Sequence, residues 1–245
     1  MNYRLTLSYD GTKYRGWQKQ ANTPNTIQGK LETALAAIAG MPVEVIGSGR
    51  TDAGVHAAGQ VASFRLAKPL DPHVLCAKLR TAMPQDIGIL SVEKASDGFH
   101  ARFSAKEKTY CYRIWNSEQP NVFERRFLWQ VAESLDREAM QACLPYFLGT
   151  HDFRAFCSNP PAGKSTVRTI RAIRLEEIGS ELRLTVTGDG FLYNMVRLIA
   201  GTMLRAGKGE INPDAIPAIL ESGERYLAGP MAPACGLCMM EVRYE

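Results

Sequence analysis

The apolar pattern of this chain changes period in the same order twice, and that repetition restricts the fold more than any other feature. Tyr3-Arg-Leu-Thr-Leu-Ser-Tyr9 alternates and stops at Asp10-Gly11, which reads as a strand and its turn. Ile27, Leu31, Leu35 and Ile38 then fall on one face of a helix that Thr26 can cap and Gly40 can end. Val43 to Ile46 and Gln60 to Leu66 read as two strands, Asp71-Pro72 opens a second helix to about Met83, and Ile87 to Val92 reads as another strand.

The second half predicts a similar series. Thr109 to Trp115 is a strand, Asp136 can cap a helix to Leu148, and Val167 to Ile178 with Leu182 to Thr187 form strands joined at Gly179-Ser180. A helix from about Leu192 to Ala206, a short one after Asn212-Pro213 and a last strand near Gly236 to Arg243 complete it. Strand, helix, two strands, helix, strand is the split βαβ order, so the expectation is an α+β chain of two ferredoxin-like (βαββαβ) halves with antiparallel sheets, residues 1–103 and 104–245, joined near Phe99 to Lys108.

With 245 residues, 45% hydrophobic and 22% charged, the chain has ample apolar material for such cores. No run approaches the roughly 18 apolar residues of a membrane helix, and the opening strand is unlike a signal peptide, so the sequence predicts a cytoplasmic protein with no membrane partner. Six scattered cysteines fit a reduced compartment. Net charge is +4, and all of the excess lies in residues 1–103, which hold 12 Lys+Arg against 8 Asp+Glu. That permits a polyanionic partner, and a solvated basic face accounts for it equally well.

Several motifs fail on inspection. Gly163-Lys164-Ser165 resembles the end of a phosphate loop, but Ser158 stands where a glycine is required and Pro160-Pro161 lack amide donors. Gly47, Gly49 and Gly54 have the wrong spacing for a dinucleotide site. Cys235-Gly-Leu-Cys238 has no second cysteine pair, and the histidines are scattered, so no metal site is expected. No Gly-x-Ser-x-Gly occurs.

What remains is the segment Gly47-Ser-Gly-Arg-Thr-Asp-Ala-Gly-Val-His-Ala-Ala-Gly-Gln60, a glycine-rich loop at 47–60 between two strands. Asp52 lies there close in sequence to Arg50 and His56, the surroundings in which a carboxylate is held ionised for chemistry. A polar hairpin in which Asp52 makes only a turn bond would look the same.

The sequence resembles the A family of tRNA pseudouridine synthases along nearly its whole length. The resemblance is carried by Tyr9-Asp-Gly-Thr-Lys-Tyr-Arg-Gly-Trp-Gln18, Gly49-Arg-Thr-Asp-Ala-Gly-Val-His-Ala57, Phe99-His-Ala-Arg-Phe103, Lys108-Thr-Tyr-Cys-Tyr112, Phe191-Leu-Tyr-Asn-Met-Val-Arg197 and Ala232-Pro-Ala-Cys-Gly-Leu237. It implies two ferredoxin-like halves around a central active-site cleft, conversion of uridines 38, 39 and 40 of the tRNA anticodon stem-loop to pseudouridine, no cofactor, and a homodimer. By the same resemblance Asp52 is the catalytic aspartate and Arg197 its partner. Tyr110 is the aromatic that stacks on the uracil, Arg50 helps displace the base, and Leu237 is an apolar wall of the pocket.

Phosphate contacts are expected from the basic first half, through Lys13, Arg15, Lys19, Lys78, Arg80 and Arg102. Two rivals are weaker. A non-catalytic RNA-binding sheet lacks its Gly-Phe-Gly-Phe signature and gives no reason for the Arg50, Asp52 and Arg197 set. An Asp-based hydrolase would need an acid partner that the sequence does not offer.

Overall fold

The computed structural model describes residues 1–160 and 162–245; Pro161, in the stretch rejected above as a phosphate loop, lies outside the described residues. The fold is mixed α+β with largely antiparallel strands, and it divides into two compact units, Met1–Lys106 with Met239–Glu245, and Glu107–Cys238.

The first unit holds β1 (Asn2–Tyr9), α1 (Ile27–Ala39), β2 (Val45–Gly47), β3 (His56–Arg65), α2 (Pro72–Ala82) and β4 (Ile87–Ala95). Its strands run β4-β1-β3, with β2 also on β3, and every one of these pairings is antiparallel. Thr26 starts α1 by accepting a bond from Gly29 N at 3.2 Å, and Gly40 ends it in the left-handed conformation at φ 71°. The face so defined buries Ile27, Leu31, Ala34 and Leu35, while Ile38 is only half-buried. Asp71 caps α2 by accepting from His73 N and Val74 N, and Pro72 occupies the first turn, where no amide is needed. Leu75 and Leu79 of α2 and Leu5 and Leu7 of β1 are wholly buried, each contributing about 1.5–3 kcal/mol relative to exposure.

The second unit holds β5 (Glu107–Asn116), β6 (Trp129–Val131), α3 (Arg137–Ala142), α4 (Leu144–Phe147), β7 (Gly149–Asp152), β8 (Val167–Ile178), β9 (Glu181–Gly188), α5 (Met195–Gly207), α6 (Ile216–Ser222) and the start of β10 (Leu237–Arg243). Strand order is β5-β9-β8-β7, with β6 parallel to β5. Tyr110, Tyr112 and Ile114 of β5 stand opposite Val186, Leu184 and Leu182 of β9, and all six are buried. α5 buries every one of its residues except Arg205, so it is a core helix and not an amphipathic one.

Three departures from the sequence reading have plain causes. The helix expected from Asp136 to Leu148 is two, because Pro145 cannot donate the amide that would continue it. β6 and β7 are too short, and β7 too polar, to show alternation. β3 begins at His56 rather than Gln60, which confines the glycine-rich loop to the residues between Gly47 and His56.

Candidate active site

In the first unit, the loop carrying Asp52 is held from both flanks. Gln60 of β3 anchors its start: its side-chain oxygen accepts from Ser48 Oγ at 2.6 Å, and its amide donates to Gly49 O at 3.0 Å. The segment after β1 wraps the rest. Tyr9 Oη and Thr51 Oγ1 are 2.8 Å apart in the buried interior, Trp17 N donates to Thr51 O at 2.9 Å, and Gly54 N donates to Tyr14 O at 3.3 Å. Gly16 passes so close that a Cβ there would lie 2.7 Å from Thr51 O, and its φ of 93° is one that side-chain-bearing residues rarely adopt.

Asp52 therefore sits on a fixed main chain. Thr51 before it and Val55 after it are buried, while Asp52 itself is half-exposed, and Val55 N donates to Asp52 O at 3.1 Å. His56 is directed inward: its Nδ1 accepts from Gly11 N at 3.0 Å and lies 3.3 Å from Asp10 Oδ1. These two contacts make His56 a strut between β3 and the segment after β1. Tyr14, on the same segment, donates to Asp86 Oδ1 at 2.5 Å; burial first, then the Asp86 carboxylate, pushes its hydroxyl pKa well up.

The proposed phosphate contacts are placed unequally. Lys13 and Arg15 are exposed on the segment that wraps the Asp52 loop, and Arg50 is exposed on the loop itself. Lys19 is paired with Glu32 at 2.9 Å. Lys78 is exposed on α2, but Arg80 donates from Nε and Nη2 to Ile89 O and Leu90 O at 2.9 Å, tying α2 to β4. Arg102 lies 6.0 Å from the ring centroid of Phe103, which is exposed and stacked on His100.

In the second unit, Tyr110 is buried and meets Phe191 edge-on at 5.1 Å. Arg197, 9% exposed, stands in the first turn of α5. Its Nε donates to Ala232 O at 2.7 Å and its Nη1 to Asn194 Oδ1 at 2.9 Å. The stretch supplying Ala232 O is clamped to the same helix. Thr202 Oγ1 accepts from Gly229 N at 2.7 Å, and Gly201 leaves its Cβ position to Pro230 O, which would lie 1.8 Å from it.

Tyr112 Oη then donates to Pro233 O at 2.8 Å, fixing the turn before buried Leu237. Burial raises the Cys235 thiol pKa, with nearby backbone N–H groups and then Arg197 opposing it. Arg197 likewise acts on Tyr112, whose hydroxyl is pushed up chiefly by burial. The second unit thus gathers Arg197, the strand bearing Tyr110 and Tyr112, and the turn before Leu237. Sequence reasoning did not single out Gln60, Gly16, Asn194 or Ala232, all of which hold these groups. All four lie within the quoted segments and motifs, Gly16 in the first, Gln60 at the end of the glycine-rich segment, Asn194 just before Arg197 and Ala232 at the head of the last, but none was assigned a role there.

Among the described residues no three His, Cys, Asp or Glu side chains gather as metal ligands would, and no helix is long and apolar enough to cross a membrane.

The family described as tRNA pseudouridine synthase matches residues 6–104 and 144–245. The chain is 44% identical over 243 residues to tRNA pseudouridine synthase A 2 of Clostridium perfringens, with 99% of each chain covered. It is 45% identical to tRNA pseudouridine synthase A of Acetivibrio thermocellus, again over 99% of both. A chain in a crystal structure of a Cbf5-Nop10-Gar1 complex aligns at a TM-score of 0.31 and 12% identity over 97% of this chain; this chain spans about half, 47%, of that one, and so distant a likeness has no bearing on the fold. The chain belongs to the tRNA pseudouridine synthase family, isomerases that act on tRNA.

Proposed function

We propose that this enzyme converts uridines 38, 39 and 40 of the tRNA anticodon stem-loop to pseudouridine, with Asp52 as the catalytic carboxylate. The observation that carries the assignment is the bracing of Thr51 and Gly54, on either side of Asp52, by Trp17, Tyr9 and Tyr14 while Asp52 itself stays half-exposed. A residue with only a structural turn to make does not need its neighbours fixed from a separate segment, whereas a reacting group does.

In the reaction the N1 to C1′ bond breaks, the uracil rotates, and C5 bonds to C1′. The C5 proton leaves and N1 gains one, so oxidation state is unchanged and no cofactor is needed. Asp52 serves as nucleophile on ring or sugar, or as base at C2′. In this reading Arg197 aims the carboxylate, the ring of Tyr110 stacks on the detached base, Leu237 walls the pocket, and Arg50 helps displace the uridine from its stack. Lys13, Arg15, Lys78 and Arg102 offer charge to the phosphates. The βαββαβ order of the first unit, with strands β4-β1-β3-β2, supports a ferredoxin-like reading of that half. The enzyme acts in the cytoplasm as a homodimer, on RNA recognised by shape.

The test uses tRNA carrying tritium at uridine C5. Asp52→Asn, nearly isosteric, should release no tritium and bind tRNA within about tenfold of the wild type. Measurable turnover by that variant would remove Asp52 from the chemistry.

A further inference from the structure

The start of α5 departs from three local rules at one place. Asn194 is the one non-glycine residue with positive φ, 64°, among the described residues. That conformation is unfavourable for any L residue, though least so for Asn and Asp. It stands at the N-cap, where an Asn side chain ordinarily accepts a bond from an amide of the first turn, and it makes no such bond. The first turn also carries Arg197, a cation at the end of the helix that disfavours positive charge.

The side chain of Asn194 is committed elsewhere. Its Oδ1 accepts from Arg197 Nη1 at 2.9 Å, and its Nδ2 donates to Ser158 Oγ at 3.1 Å. With Ala232 O taking Nε at 2.7 Å, the guanidinium is held on two sides, and both Asn194 and Arg197 are at least nine-tenths buried. Two bonds at fixed angles determine the plane of a guanidinium, which one bond would leave free to swing. This helix start forgoes its cap and takes a strained backbone, and what the displaced amide does instead is satisfy the buried guanidinium and hold Arg197 in one orientation.

We propose that Asn194 is the positioning residue of Arg197 in pseudouridine formation, itself held by Ser158. The proposal rests on the reading of Arg197 as the partner of Asp52, so the experiment separates the two. Asn194→Gly accepts the left-handed backbone without strain and removes the amide; Asn194→Ala removes the amide and adds strain; Asn194→Asp tolerates the backbone and keeps an acceptor for Arg197. Arg197→Lys is made alongside, and kcat and KM for tRNA are measured for each by tritium release, with thermal melting of every variant.

The expected result is that Asn194→Gly and Asn194→Ala both lose about 10- to 100-fold in kcat, the scale of a misplacement near 1 Å, with KM within about threefold of wild type. Asn194→Asp should recover kcat to within about tenfold of wild type. If Asn194→Gly turns over at the wild-type rate while Arg197→Lys is impaired, only the positioning role falls. If Arg197→Lys is unimpaired, the reading of Arg197 falls and this proposal with it. A loss confined to KM, or one that tracks the unfolded fraction at the assay temperature, would also overturn the positioning role.

Discussion

Alanine at Gly16 and at Gly40 imposes one backbone conflict in two different settings, and the comparison isolates what the Asp52 loop requires. Both glycines have positive φ, 93° and 71°, where an alanine costs roughly 1–2 kcal/mol. At Gly40 a Cβ meets nothing within 4 Å, so strain is the whole effect. At Gly16 it would stand 2.7 Å from Thr51 O and 3.2 Å from both Ala53 N and Asp52 C. Reaching an ordinary contact of 3.4 Å requires about 0.7 Å of movement between the new Cβ and Thr51 O, the carbonyl of the peptide leading into Asp52, and about 0.2 Å at Asp52 C. Overpacking of this kind adds about 1–3 kcal/mol, for a total near 2–5 kcal/mol.

The two variants should therefore separate on both axes. Urea unfolding should show Gly16→Ala losing more stability than Gly40→Ala by about 1–3 kcal/mol. Tritium release at saturating tRNA should fall about tenfold or more for Gly16→Ala, since a displacement near 1 Å can reduce a rate 100-fold, and stay near wild type for Gly40→Ala. Equal turnover in the two would refute the reasoning, because it would mean that the main-chain position of Asp52 is immaterial to the reaction.

Two further outcomes follow from ion pairs in the structure. Glu181 is all but buried, which by itself raises its pKa, but bonds from Arg113 and Arg183 at 2.6 Å outweigh burial and hold it at about 2 against an ordinary 4.5. A carboxyl depressed in the folded state contributes stability above its unfolded pKa and loses it as pH falls through the folded one. Glu181→Gln should thus be less stable than wild type by up to about 3 kcal/mol at neutral pH, with the gap closing from about pH 4.5 down to about pH 2 in urea melts; a constant gap would refute the pairing. Replacing Lys13, Arg15 and Lys19 together should reduce the log-log salt slope of tRNA binding by about 2, since each phosphate contact contributes about 0.9 and Lys19 is already paired with Glu32. An unchanged slope would place the RNA elsewhere.

Much of the local structure was legible because it follows from short-range rules. Thr26, Gly40, Asp71 and Pro72 begin or end helices at the residues expected, since capping and φ restriction need no partner far along the chain. The same locality explains the failures. A proline inside the Asp136 to Leu148 stretch was visible, but how much of a helix survives on either side depends on packing, and here both pieces persist. β6 exists because β5 offers it a partner, and nothing within Trp129-Gln-Val131 announces that.

The candidate site divides along the same line. Asp52 and Arg197 stood out through motifs, and Gln60 and Ala232 lie in the same quoted segments, but nothing in the sequence says that Gln60 ties down Gly49 or that Ala232 O takes the Nε of Arg197 35 residues away. Asn194 is the sharpest case. The sequence reading began this helix near Leu192, with Asn194 inside it; the helix starts at Met195, and the backbone angle and the direction of the Asn194 amide show that Asn194 is not an ordinary N-cap either. Sequence rules state what a residue does when nothing else competes for it. Where a residue is found doing otherwise, as Gly16 does beside Thr51 and Asn194 beside Arg197, the competing demand comes from the neighbour, and in this enzyme both neighbours belong to the segments read as carrying the chemistry.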